Sequence, residues 1–232
     1  MKNMDVLILT GGQGSRLRTV VNDRPKTMAQ INGRPFLDML IEHLSGFGFT
    51  RYTLCVSYMA EFIKEYYRTN NTNSLEITFS SEVTPLGTGG AVKHAASLIA
   101  SDTFLVLNGD SFCPVDFHKF IEFHLEKSAL LSMVLSPAEG SDDYGSVVID
   151  GSNRVMQFRE KKPIDKTWIN AGVYLFEKKV LSLIPSGDIY SLEYDLFPQL
   201  IGKDFFGFPT AGKVIDIGTP ERYMDAMRTL PL

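Results

Sequence analysis

Cysteine occurs only twice in 232 residues, too few for a disulfide scaffold or a cysteine-built metal cluster. Cys55 and Cys113 stand beside apolar, strand-like runs and read as reduced, structural thiols. A basic excess is lacking too: 23 Lys and Arg face 27 Asp and Glu, for a net charge of −4 and a pI near 5.6. That balance argues against a nucleic-acid polymer as partner and still permits local cations around a phosphate. No apolar run approaches the ~20 residues of a membrane span. The opening Met1-Lys2-Asn3-Met4-Asp5 leads into an apolar run too short for a secretion signal, so a cytoplasmic protein is expected. Internal repeats, low-complexity tracts and the hexapeptide arrays of β-helices are missing. With 44% hydrophobic and 22% charged residues, a single sizeable domain over residues 1–232 is expected.

What is present begins with Val6-Leu7-Ile8-Leu9-Thr10, followed by Gly11-Gly12-Gln13-Gly14-Ser15-Arg16-Leu17 and then Pro25-Lys26. A branched apolar run ending at glycines reads as a buried parallel strand entering a tight loop, where backbone N–H groups can approach an anion. Arg16 adds a forked guanidinium and Lys26 a compact ammonium, both suited to phosphate oxygens. Two familiar phosphate loops do not fit. A P-loop closes with Gly-Lys-Ser/Thr, whereas Gly14 precedes Ser15-Arg16; the dinucleotide fingerprint needs a glycine where Leu17 stands and an acidic residue that Leu54-Cys55-Val56-Ser57 does not supply. A dinucleotide-dependent oxidoreductase is therefore the weaker reading.

Further along, a helix is expected from Pro35 through Leu44, a strand over 52–57, a helix over 59–68 and a strand over 75–79. This alternation is the start of a Rossmann-like, doubly wound α/β sheet, mixed and mostly parallel. A second glycine-rich loop, Glu82 to Gly90, leads into an expected helix over 91–100. The strand-like Thr103-Phe104-Leu105-Val106-Leu107 ends in Asn108-Gly109-Asp110, and Lys213-Val214-Ile215-Asp216 ends before a helix capped by Thr219 and opened by Pro220. Ligands of open α/β sheets bind at the carboxyl ends of strands, so Asp110 and Asp216 are candidate Mg2+ ligands: that ion takes one or two carboxylates plus phosphate oxygens and water. Asp116 is expected to cap a helix over 117–127. A strand over 129–135, short strands over 145–149, 154–158 and 168–176, and a helix over 192–201 follow. The short strands suggest a small β-rich lid packed on the nucleotide half. His43, His94, His118 and His124 are expected to pack on helix surfaces.

Gly-Gly-x-Gly-Ser/Thr-Arg-Leu followed by Pro-Lys resembles the signature of the sugar-1-phosphate nucleotidylyltransferases, which join a nucleoside triphosphate to a sugar 1-phosphate and release pyrophosphate. Ser15 stands where that family more often has Thr. The resemblance runs from Leu7 to the helix after Asp216 and implies the nucleotide-diphospho-sugar transferase type of fold, with a nucleotide half over about 1–135 and a sugar half over about 136–232. It implies nucleotide contacts from Leu9, Gly11, Gly12, Gly14 and Ser15 in the first loop, from Glu82, Gly87 and Thr88 in the second, and from Asn108. Arg16, Lys26 and Lys161 take catalytic roles by the same resemblance, with Lys161 on the sugar phosphate and Lys162 as the alternative. Gly145, Glu160, Asn170 and Glu193 hold the sugar, and Asp110 and Asp216 hold the metal. An acceptor-only carboxylate at Glu82 suits the adjacent N1–H and amino donors of guanine, so GTP is the implied triphosphate. Read alone, Glu82 also fits a solvated strand end. Within the family, Gly14 to Arg18, Val20 to Lys26, Ile31 to Leu37 and the missing β-helix resemble most the short heptose 1-phosphate guanylyltransferases. A mannose or glucose 1-phosphate pocket, with a guanylyl, cytidylyl, uridylyl or thymidylyl donor, would use the same residue types. Pairing of two copies through the short strands is left open.

Overall fold

The computed structural model describes residues 1–70, 75–138, 144–160 and 168–230. The first half alternates strand and helix: β1 (Asp5–Leu9), a hairpin of β2 (Gln30–Ile31) and β3 (Arg34–Pro35), α1 (Phe36–Gly46), β4 (Arg51–Val56), α2 (Ala60–Thr69), β5 (Glu76–Ser81), α3 (Gly87–His94) and β6 (Thr103–Asn108). β1 pairs in parallel with β4 and β6, and β4 with β5. The resulting order β5-β4-β1-β6 places β1 at the centre.

Alternate residues of β1 face opposite layers, as strand geometry requires. Val6 and Ile8 join a core formed with the apolar stripe of α1 (Phe36, Leu37, Leu40, Ile41, Leu44) and with α2, while Leu7 packs on the other face with Ala91, Val92 and Ala95. The first two crossovers lie on one face and the third, through α3, on the other. Chain direction across the sheet therefore reverses between β1 and β6, which opens a crevice at their carboxyl ends.

The second half supplies β7 (Ser111–Phe112), α4 (Phe117–Glu126), β8 (Leu131–Pro137), β9 (Ser146–Ile149), β10 (Val155–Arg159), β11 (Trp168–Glu177), α5 (Phe197–Leu200), β12 (Phe205–Pro209), β13 (Ile215–Asp216) and α6 (Pro220–Thr229). Asp116 caps α4 by accepting from the N–H groups of His118 and Lys119, and Thr219 caps α6 by accepting from that of Arg222. The short strands are built into the main sheet: β11 runs antiparallel to β6, β8 and β9, and β9 to β10. β12, which the sequence pattern did not announce, lies parallel to β8.

Two helix expectations are corrected. α3 starts at Gly87, four residues early, because the glycines are themselves the first turn, and a 3-10 turn Ala95–Leu98 replaces its expected end. The helix expected over 192–201 is a π-type turn Leu192–Leu196 followed by the one-turn α5. The Ser191 carbonyl accepts from both Asp195 N and Leu196 N there, widening the turn. His124 is fully buried, not on a helix surface: its Nδ1 lies 2.8 Å from Ser132 Oγ and its Nε2 3.3 Å from Glu177 Oε1. Among the described residues, no helix is long and apolar enough to cross a membrane.

Candidate active site

The first glycine loop leaves β1 at the crevice. Thr10 extends the strand by one residue, its N–H and hydroxyl both donating to the Cys55 carbonyl at 2.9 and 2.7 Å. Gly14 has φ +60°, and a Cβ there would lie 2.9 Å from Lys26 Cβ, so only glycine lets the Lys26 stem cross the loop. The buried Leu17 anchors the far end through its N–H to the Gly14 carbonyl at 2.9 Å. Arg18 is taken up by the loop itself, with Nε on the Gln13 carbonyl and its guanidinium 4.3 Å above the Tyr58 ring. Arg16, by contrast, lines a cleft.

Two clefts share this region. One, with about 780 Å³ of open space, is lined by Leu9, Gly11, Gly12, Lys26, Thr27, Cys55, Glu82, Pro85, Gly87, Thr88, Ala91, Asn108 and Asp110. The other, about 690 Å³, is lined by Arg16, Lys26, Asn108, Asp110, Ser111, Tyr144, Gly145, Glu160, Asn170, Glu193, Asp216 and Arg222, among others. The two clefts meet at Lys26, Asn108 and Asp110. The residues expected on the nucleotide side thus fall in the first cleft, apart from Gly14 and the exposed Ser15, which line neither. Those expected on the sugar side fall in the second, except Lys161, which with Lys162 lies outside the described residues.

Asp110 and Asp216, far apart in the chain, are joined by a ribbon of two-residue strands. β13 pairs antiparallel with β7 so that Asp216 sits opposite Ser111, and Ile217 N–H donates to the Asp110 carbonyl at 3.0 Å. Each carboxylate already faces a cation: Lys26 Nζ donates to Asp110 Oδ2, and Arg222 Nη1 to Asp216 Oδ2 at 3.0 Å. The Tyr144 hydroxyl donates to the same Asp216 oxygen, and Gly218 N–H to Oδ1 at 2.7 Å. Burial and the Asp216 charge push the Tyr144 hydroxyl pKa above its usual range, so it stays a donor. Both carboxylates line the second cleft, and a pair of hard oxygen donors is a set that fits a divalent cation.

Glu82 follows β5 at the far end of the first cleft. Its Oε2 accepts from the Leu86 N–H at 3.0 Å, and Oε1 has no hydrogen bond among the described residues. Burial raises its carboxyl pKa. On the sugar side, Gly145 O accepts from Asn170 N–H at 2.8 Å, and the Asn170 side chain spans Tyr174 OH and Gly172 N–H where β11 is bulged. Burial pushes the thiols of Cys55 and Cys113 up to about 12, so neither is a nucleophile.

Sequence reasoning missed Tyr144 and Arg222. The signal for Arg222 was its position: a cation in the first turn of α6 faces the positive end of the helix dipole and needs a carboxylate nearby.

Fold and clefts together define the class, an α/β enzyme built to handle phosphoryl groups. A family model described as Nucleotidyl transferase matches residues 5–231, and the chain belongs to that family. It is 36% identical over 228 residues to the D-glycero-α-D-manno-heptose 1-phosphate guanylyltransferase of Aneurinibacillus thermoaerophilus, covering 98% of each chain. To the enzyme of the same description from Campylobacter jejuni it is also 36% identical, covering 95% of this chain and 97% of that one. The crystal structure of HddC from Yersinia pseudotuberculosis complexed with GMP-PN superimposes with a TM-score of 0.87 at 37% identity, covering 98% of this chain and all of that one.

Proposed function

We propose that the protein transfers GMP from GTP to D-glycero-α-D-manno-heptose 1-phosphate, forming the GDP-sugar and pyrophosphate. The observation that carries this reading is the meeting of two clefts at Lys26, Asn108 and Asp110 in a chain that matches heptose 1-phosphate guanylyltransferases over almost its whole length. Guanine lies at the Glu82 end of the first cleft, where the free Oε1 accepts from its N1–H or amino group. The triphosphate runs along Gly11 and Gly12 toward Lys26. Heptose 1-phosphate enters the second cleft among Gly145, Glu160, Asn170 and Glu193, with Lys161 on its phosphate.

The sugar-phosphate oxygen attacks the α-phosphorus in line, and pyrophosphate leaves on the opposite side. That phosphate is already anionic near neutral pH, so no side chain need serve as base or nucleophile. Lys26 holds the α-phosphate and Arg16 stabilises the charge that develops on the leaving group. Mg2+ held by Asp110 and Asp216 would neutralise charge on the phosphate oxygens. Lys26 and Arg222, which donate to those carboxylates, would then be the cations placed to turn to phosphate. The barrier falls through positioning and charge stabilisation.

The test is a panel of GTP, UTP, CTP and dTTP against heptose, mannose and glucose 1-phosphates, read as pyrophosphate release. Highest turnover with GTP and heptose 1-phosphate is expected. A preference for a pyrimidine triphosphate would remove the guanylyl assignment, and one for mannose 1-phosphate the heptose assignment.

A further inference from the structure

Thr88 lies in the wall of the first cleft, at the second residue of α3, yet its hydroxyl is committed toward the other cleft. It donates to Glu193 Oε2 at 2.6 Å and accepts from the Leu192 N–H at 2.8 Å. Ser191 Oγ donates to the same Glu193 oxygen at 2.8 Å, which occupies both of its lone-pair directions. Oε1 has no hydrogen bond among the described residues, and Glu193 lines the second cleft. The backbone carrying Thr88 is equally fixed. Gly90 N–H donates to the Tyr190 carbonyl at 2.9 Å and Tyr190 N–H to the Leu86 carbonyl at 2.8 Å. A Cβ added at Gly87 would lie 2.7 Å from that Tyr190 carbonyl oxygen, and one at Gly89 2.7 Å from the Tyr190 ring.

We propose that Thr88 is a positioning residue for the sugar 1-phosphate: by holding Glu193 Oε2 it aims Oε1 to accept from a hydroxyl of the sugar. A glutamate on a free side chain samples several rotamers, and fixing one of them before the ligand arrives removes that ordering cost from binding. The single Thr88 hydroxyl proton is already used, so the side chain has no donor left for a nucleotide phosphate. Its assignment moves from the nucleotide to the sugar, and the hydroxyl is the physical link between the walls of the two clefts. This inference rests on the sugar-1-phosphate transferase reading and deepens it.

The experiment compares wild type, Thr88→Val, Thr88→Ser, Glu193→Ala and the Thr88→Val/Glu193→Ala double variant. KM for GTP and for heptose 1-phosphate is measured by pyrophosphate release, with thermal unfolding to confirm folding. Losing a hydrogen bond to a charged group predicts a sugar KM about tenfold higher for Thr88→Val, a GTP KM within about twofold, and recovery in Thr88→Ser. On the Glu193→Ala background the valine adds nothing, because the two residues act as one unit. A rise in the GTP KM instead, additive effects of the pair, or no recovery with serine overturns the inference while leaving the transferase reading intact. Thr88→Ala repeats the comparison should the valine variant not fold. If wild type prefers another sugar 1-phosphate, the same comparison is made with it. Wild type inactive with every pair in the panel ends both.

Discussion

A Cβ placed on Gly12 would meet nothing within 4 Å, whereas one on Gly87 or Gly89 would lie 2.7 Å from Tyr190, and one on Gly90 2.7 Å from Leu86. The loops at 11–14 and 87–90 look alike as strings of letters. In the first, the missing side chain at Gly12 leaves space in the cleft; in the second, the space is already filled by residues 188–192. Glycine-rich composition records a close approach and does not say what approaches.

The sharpest break between the loops should come from Gly12→Ala. With open space and no positive φ at that position, stability should hold within about 0.5 kcal/mol. A methyl group where the triphosphate is proposed to run should cut kcat/KM for GTP about 100-fold, since small displacements at a reacting centre are that costly. Gly89→Ala should do the reverse. Overpacking against Tyr190 should cost about 1–3 kcal/mol, seen as a lower urea midpoint at unchanged slope, with the GTP KM moved only a few-fold. If Gly12→Ala unfolds the protein, or Gly89→Ala is as stable as wild type, the contrast is wrong. A smaller effect is expected at the entrance of the second loop. Glu82→Gln should lower the preference for GTP over UTP about tenfold, because the amide can donate to the carbonyl of uracil as the carboxylate cannot.

The smallest effect lies outside both loops. Burial lowers the pKa of His124 from its usual 6.5, against a weaker opposing pull from Glu177 and with a small push from Lys179 in the same direction. The unfolded chain then binds the proton more readily than the native one. The stability His124 contributes is present above about pH 6.5 and is lost as pH falls through its lower native value. Urea unfolding between pH 7.5 and 5 should show this decline, and His124→Gln should flatten it while leaving GTP kinetics unaltered.

Much of this arrangement was legible because it is written in local pattern. The apolar run before Gly11, the stripe of α1 and the two aspartates that end short apolar runs each carry their own signal. Others depend on partners distant in the chain. β12 is five residues interrupted by Gly207, whose added Cβ would overlap Leu135 of β8; it is a strand because β8 is there to pair with it. The π-type turn at Leu192 depends on the Ser191 cap, and the early start of α3 on the Tyr190 segment. Tyr144 enters the site through its hydrogen bond to Asp216 and not through any motif. His124 has the sequence context of a surface helix residue, and only the positions of Ser132 and Glu177 on neighbouring strands draw it inside.

The ribbon of β7 and β13 carries a consequence for how the protein comes into being. Asp110 leaves the ribosome as a residue just beyond a strand that can already pair with β1. Its companion emerges roughly a hundred residues later, about 5–20 seconds at ordinary rates of synthesis. Throughout that interval the nascent chain can build most of its parallel sheet yet hold only half of an acidic pair. Phosphate chemistry that draws on both carboxylates, as proposed, would thereby wait until β13 has been made.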